Sequence, residues 1–503
     1  MKVIKTGFTT WENRHETFVE KIKDLYELGN DDTLNPLDSY NDSTKGIQQI
    51  IAQAIAQKLP LRALGAGWSW MKIATADGGI MLDTKPLNMM FDISAPSVNP
   101  AYKGDPGKLF FAQCGNGVWE LSRYLRPRNL SLKTSGASNG QTIAGVTATG
   151  AHGSAFDVGA VQDFVVGLHI IVSPTRHIWL ERASSPVVSP AFIQSLQTEL
   201  VQDDDLFYSA LVSFGSFGII HGAMIETEPL FLLESYMLRM PYDATLQKLM
   251  QTLDFSNAKL PNGNERPYHF AVFVNPYDID GGAYVTTMYK RPYVAGYTPP
   301  VRNFNGIGPG DDAACFIGGL TQAIPALVPV LVNRLLAGAL TPYSKQMGTL
   351  GETFDNTILH GKLLSAAIGI PIAYVTQAIS LLLAINKTNG PFSGLFACRF
   401  VKKSPATLAF THFDYTCVLE LDAAFSDETY AFYTAAWKSF EAAKIPFTFH
   451  WGKVNELNPA RLTTMYGDKI QTWIAARNKL LDADTRQVFT NATLQLWGLD
   501  KSL

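Results

Sequence analysis

The chain has 503 residues, 47% hydrophobic and 17% charged, with a formal net charge of −3 and a pI near 6.3. That length exceeds what one hydrophobic core organises, so two domains are expected, and the charge balance offers no basic field for nucleic acid. The four cysteines, Cys114, Cys315, Cys398 and Cys417, show no C-x-x-C spacing, which disfavours a structural zinc site and suits a reduced, cytosolic setting.

The first 18 residues are charged early and contain no apolar run, so no secretory signal is expected. Residues 44–58 carry helical apolar spacing, with Ser43 or Thr44 as N-cap. Residues 61–64 read as a buried strand entering the turn of Arg62-Ala-Leu-Gly-Ala-Gly-Trp-Ser-Trp70. Strands at 79–83 and 109–114 and a helix at 118–125 precede a second glycine segment, Gln141-Thr-Ile-Ala-Gly-Val-Thr-Ala-Thr-Gly-Ala-His-Gly-Ser154. Further strands are expected at 164–172, 177–181, 207–213 and 218–228. This order predicts an α+β fold. No G-x-G-x-x-G opens a helix after a strand, which disfavours a Rossmann nucleotide site.

The texture changes near residue 230. Strands are expected at 270–274, 283–288, 395–402, 406–422 and 446–453, and helices at 243–254 and 427–443. Residues 300–390 are apolar and punctuated by Gly and Pro, which suggests a layer covering a central sheet. Within them, 363–385 carries no charge and is long enough to span a bilayer. Because Gly369, Pro371, Thr376, Gln377 and Ser380 interrupt it, we read it and 316–340 as buried or lid-like helices. Membrane contact is the alternative.

Glycines let successive backbone N–H groups approach an anion and form a concave phosphate cradle. In order and content the two glycine segments resemble the FAD-binding domain of the vanillyl-alcohol oxidase, or PCMH-type, superfamily. The nearest pattern is that of the aldonolactone oxidase and alditol oxidase group, with sterol oxidases of the same fold as cousins. Thr10-Trp-Glu-Asn13, Phe214-Gly-Ser-Phe-Gly-Ile-Ile-His221, His450-Trp-Gly-Lys453 and Tyr466 carry the likeness further. It covers 1–230 and, in looser form, 395–503, whereas 230–390 matches no pattern. The resemblance implies a two-domain flavoprotein. Its FAD-binding domain would span 1–230, with 461–503 as a candidate completion. Its substrate domain, 231–460, would be an antiparallel sheet covered by helices.

The resemblance also implies the site. FAD would be held by Gly65, Ala66, Gly67, Trp68, Ser69 and Trp70 from the first segment. The second would contribute Ser138, Asn139, Thr142, Gly145, Thr149, Gly150, His152, Gly153 and Ser154, with His152 binding or positioning rather than moving a proton. Gly218 and Ile220 would lie beside the adenine, and His450 and Lys453 at the ring. Many relatives attach flavin through a His where Trp68 stands, or a Cys where Ser135-Gly-Ala-Ser138 stands, so FAD is expected to be noncovalent. Oxidation of a C–OH group by hydride transfer to flavin N5 needs a cation near N1 and a base for the hydroxyl proton. Lys453 is the candidate cation, with Arg399 beside it. The family's Glu-x-Arg pair is Ala397-Cys-Arg399 here, which implies a lost ion pair and puts polyol recognition in doubt. On the following strand His412, Asp414 and Glu420 share one parity. Glu420 is the first candidate base, with a pKa raised by burial, and His412 the second. Molecular oxygen is a candidate acceptor. The alternatives are a hydrophobic, sterol-like substrate (C–N oxidation included) and a flavin-binding or membrane-associated protein without turnover.

Overall fold

The computed structural model describes residues 2–299, 327–355 and 362–501. It is a mixed α+β protein of two domains whose largest apolar cluster draws on both, with members from Tyr26 to Leu499. The first domain holds two larger sheets. In one, Lys2–Lys5, Asp24–Gly29, Ile80–Asp83 and Leu61–Leu64 lie side by side, the last three parallel. In the other, six strands run in the order Glu199–Gln202, His177–Glu181, Val165–Ile171, Ile219–Glu226, Leu109–Gln113 and Met90–Asp92.

The second domain is built on eight antiparallel strands. Their order is Tyr343–Thr349, Phe231–Met240, Ala283–Pro292, His269–Val274, Gly394–Lys402, Tyr415–Ala424, Leu363–Pro371 and Thr448–Phe449. The helices Ala244–Thr252, Val375–Asn389 and Asp427–Ala442 pack together against it.

After the sheet the chain returns to the first domain. Helices Pro459–Tyr466, Lys469–Leu480, Ala483–Val488 and Ala492–Trp497 are pinned there by two buried arginines. Arg62 donates to the carbonyls of Gly215 (3.1 Å), Ile73 (2.7 Å), Phe489 (3.0 Å) and Phe214. Arg477 donates to Ser216 O at 2.9 Å, and Asn491 reaches the carbonyls of Lys72, Ile73 and Thr75 at 2.9–3.1 Å.

Several expectations need correction. The helix expected at 44–58 starts earlier, as Pro36–Gln57, with Asn35 accepting from Asp38 N and Pro36 in the first turn. Ser43 and Thr44 lie inside it, their hydroxyls 3.0 and 3.1 Å from the two ring nitrogens of buried His221. Residues 207–213 are no strand: 207–211 belong to the helix Asp204–Leu211, capped by Asp203 and acidic in its first turn, and 212–213 follow its end. The apolar stretch 363–385 is neither lid nor span. Its first part is the sheet strand Leu363–Pro371 and only 375 onward is helix. Residues 300–390 therefore supply two sheet strands as well as covering helices, and the part of 316–340 before 327 lies outside the described residues. No helix among the described residues is long and apolar enough to cross a membrane. Finally, 406–422 is strand only from Tyr415, because 403–414 turns back through Ser404 N to Thr411 O (2.9 Å).

Candidate functional site

The two glycine segments are pressed together. Leu61–Leu64 ends at Gly65, where a methyl group would strike the Thr142 hydroxyl; one on Gly140 would strike the Trp68 indole, and one on Gly153 the Ser135 carbonyl. Gly67, at φ +68°, turns the chain so that Trp68 faces the second segment. Thr142 caps the short helix Ile143–Thr149, its hydroxyl accepting from Gly145 N at 3.3 Å. Thr149 Oγ1 donates back to Gly145 O, and left-handed Gly150 (φ +71°) ends the helix and leads to His152.

The first segment is also tied to the far end of the chain. Trp70 N donates to Gly452 O at 2.8 Å, Ser69 Oγ to the same oxygen at 3.1 Å, and Trp70 Nε1 to Leu363 O at 2.9 Å. The N-terminal hairpin closes behind it. The Arg14 guanidinium lies 4.6 Å from the Trp68 ring, and His15 stacks on Trp70 at 3.8 Å.

Between these segments and the eight-stranded sheet lies a cleft. Trp68, Trp70, Ser138, Asn139 and His152 line it from the first domain, and Arg399, Glu420, His450 and Lys453 from the second. Gly65, Ala66, Gly67, Ser69, Thr142, Gly145, Thr149, Gly150 and Gly153 do not line it but belong to the two segments that carry these first-domain residues. Four further expected site residues lie away from it. Ser154 joins the domains instead, donating to Phe270 O and accepting from Phe400 N at 3.0 Å. Gly218 (φ +110°) packs on the end of Val165–Ile171, and Ile220 pairs with Ile170 in the sheet. His412 sits on the 403–414 turn with its ring 5.4 Å from that of Tyr466, outside the cleft. Its shared parity with Glu420 fails because no strand joins them.

The sheet side carries the charges. Arg399 stands on Gly394–Lys402, and Glu420 on Tyr415–Ala424 directly opposite Ala397. Glu420 Oε1 accepts from Lys453 Nζ at 2.8 Å and lies 3.8 Å from His152 Nε2. Its Oε2 lies 3.0 Å from Arg399 Nε, an ion pair outside hydrogen-bond alignment. Lys453 also lies 3.9 Å from Asp422, which accepts from Ser365. The expected loss of Arg399's carboxylate partner is thus corrected, because the next strand supplies one from across the ladder.

The expectation of a raised Glu420 pKa is also overturned. Burial pushes it up, but Arg399, then Lys453 and His152, outweigh burial and hold it well below the usual carboxylate range. A carboxylate so held is a weaker base than an ordinary one. His152 is pushed down to about 4, chiefly by burial, and His450 well below its ordinary value for the same reason.

The cleft wall holds polar atoms that need partners. Trp68 Nε1, Ser138 Oγ and Gln141 Oε1 are buried at its wall with no partner among the described residues. Buried polar atoms normally find partners, so such a cluster marks where a ligand would bond. Gln141, Gly136 and Ala137 are lining residues that the sequence reading missed. Gln141 opens the second glycine segment, and Gly136 and Ala137 lie in the loop just before it.

Residues 40–179 match the family described as FAD binding domain. Over 300 residues the chain is 27% identical to an L-gulono-1,4-lactone dehydrogenase of Mycobacterium tuberculosis, covering 60% of this chain and 59% of that one. A D-arabinono-1,4-lactone oxidase of Debaryomyces hansenii is 30% identical over 135 residues, covering 27% and 21%. The chain thus spans less than two thirds of these curated relatives. A crystal structure of cholesterol oxidase from B. sterolicum superposes with a TM-score of 0.69 at 14% identity, covering 99% of this chain and 97% of that one. At that identity the likeness is one of fold.

Proposed function

Because the chain belongs to the PCMH-type family of FAD oxidoreductases, we propose that it oxidises a substrate C–OH group with noncovalently held FAD. We assign residues 1–230, completed by 461–503, to the cofactor and 231–460 to the substrate. The observation that carries the reading is the buried Arg399–Glu420–Lys453 cluster facing Trp68 across one cleft. Bound FAD would supply the two-electron acceptor, with oxygen as a final acceptor. Trp68, Ser138 and Gln141 would hold it through their unpartnered polar atoms, and an indole at 68 offers contact without a bond. Arg399 and Lys453 are cations fixed by a shared carboxylate, so they meet developing negative charge without reorganising.

The substrate reading turns towards polyhydroxylated compounds. The apolar-substrate alternative rested on a missing carboxylate, which Glu420 supplies, and on an apolar stretch that includes the sheet strand Leu363–Pro371. The named substrates of the curated relatives, 1,4-lactones of sugar acids, suit a cleft with charged side chains. Acid precipitation of the yellow protein should release flavin to the supernatant; colour retained in the pellet would refute noncovalent binding. Under anaerobic conditions L-gulono-1,4-lactone or sorbitol should bleach the flavin and cholesterol should not. A protein bleached by none of them refutes the oxidation reading.

A further inference from the structure

We infer that His152 and His450 form a hydroxyl-reading pair, with His152 Nε2 accepting the substrate's hydroxyl proton and His450 Nε2–H donating to its oxygen. The inference rests on the alcohol-oxidation reading and adds a proton acceptor to it.

Backbone partners set both tautomers. His152 Nδ1 lies 3.0 Å from Gly153 O, and a carbonyl can only accept, so Nδ1 carries the hydrogen. That leaves Nε2 with a lone pair at the cleft. In His450 the roles are reversed. Gly452 N–H donates to its Nδ1 at 3.0 Å, so Nδ1 is the bare nitrogen and the hydrogen sits on Nε2. Both residues line the cleft and are more than nine-tenths buried, and their ring centroids are 5.8 Å apart. Phe410 packs against both rings, with centroids 5.4 Å from His152 and 4.8 Å from His450. A hydroxyl is one donor and one acceptor, and this pair presents the complement of each.

Glu420 has a defined part in this arrangement. Its Oε1 lies 3.8 Å from His152 Nε2, so an imidazolium formed there faces a carboxylate already ionised by Arg399 and Lys453. Glu420 is therefore a positioning residue, and its charge favours the proton's arrival on His152. In the step, the O–H bond breaks and its proton passes to His152 Nε2. The carbon–hydrogen bond gives up its electron pair as hydride to the FAD of the proposed reaction, and the C=O bond forms.

The test uses the flavin-loaded protein labelled with ¹⁵N-histidine, with H152Q and H450Q assigning the resonances. At pH 7 His152 should be the Nδ1–H tautomer and His450 the Nε2–H tautomer. Either ring in the other tautomer, or as imidazolium, overturns the pair. With L-gulono-1,4-lactone as probe, anaerobic bleaching measured per bound flavin should slow about 100-fold or more in H152Q, the usual scale of a positioned base. H450Q should mainly raise the lactone concentration needed for half-maximal rate. A wild-type rate in H152Q overturns the inference while leaving alcohol oxidation standing. Correct tautomers in a protein that no alcohol bleaches would refute the reaction, and with it His152's part as proton acceptor.

Discussion

Replacing Glu420 by Gln keeps the side chain's shape and removes the charge that Arg399 and Lys453 share. In the folded protein both cations are nearly buried, with side-chain exposures of 8% and 12%, so water cannot take over the carboxylate's role. Breaking a buried ion pair by neutralising one partner typically costs about 3–5 kcal/mol. Asp422, 3.9 Å from Lys453, retains part of that side, so the lower end, about 3 kcal/mol, is expected. For a domain of this size that is a fall of roughly 6–12 °C in melting temperature. Exchanging the pair across the ladder, Glu420→Ala with Ala397→Glu, conserves volume and returns a carboxylate to Arg399's neighbourhood. The exchange should recover more than half of what Glu420→Ala alone loses. The pH sign follows from the lowered native pKa of Glu420. Its contribution is complete above the unfolded carboxylate value and is lost as pH falls towards the native one. Thermal and urea unfolding of the four proteins at pH 7 and pH 3 measures all of this. A Glu420→Gln protein within about 0.5 kcal/mol of wild type, or an exchange no better than the single alanine, would refute the shared-carboxylate account.

Gly140→Ala should drive a methyl group into the Trp68 indole, and the 450-to-280 nm absorbance ratio should show a several-fold loss of flavin, partly restored by Trp68→Phe. Full flavin content in the single variant would contradict the packing. The buried histidine His221 has a native pKa of about 3, set chiefly by burial, against an ordinary value of 6.5. Its stability contribution is complete above about pH 6.5 and is lost as pH falls towards 3, roughly 1.4 kcal/mol for each pH unit once well below 6.5. His221→Gln should therefore flatten the acid limb of a plot of urea midpoint against pH, and an unchanged slope would count against this assignment.

Some elements were legible because local signals were sufficient. Val118–Leu125 and His177–Glu181 were read with their observed bounds, since each carries a clear period and a turn before it. Leu363–Pro371 was not, because a strand buried on both faces shows no alternation and an uninterrupted apolar run fits either period. The helix Asp204–Leu211 was missed although its Asp203-Asp-Asp205 start is a capping signal, outweighed in reading by the β-prone residues after it. In the cleft, Trp68, His152, His450 and Lys453 were legible from motifs. The service of Glu420 to Arg399 was not, because cross-strand register appears in no local pattern. Nor were the histidine tautomers, which depend on where two backbone groups point.

The clamp that Arg62 makes with Phe489 O joins groups 427 positions apart in the chain. A ribosome adding about 5–20 residues per second needs roughly 20–90 s to cover that distance. For all of that time the turn leading into Trp68 has been made but not fastened, and the Arg62 guanidinium lacks the Phe489 carbonyl that helps to bury it. The cofactor half is therefore among the first parts to emerge and among the last to be secured. A nascent chain stalled before residue 489 should take up flavin poorly, however well its glycine segments are formed.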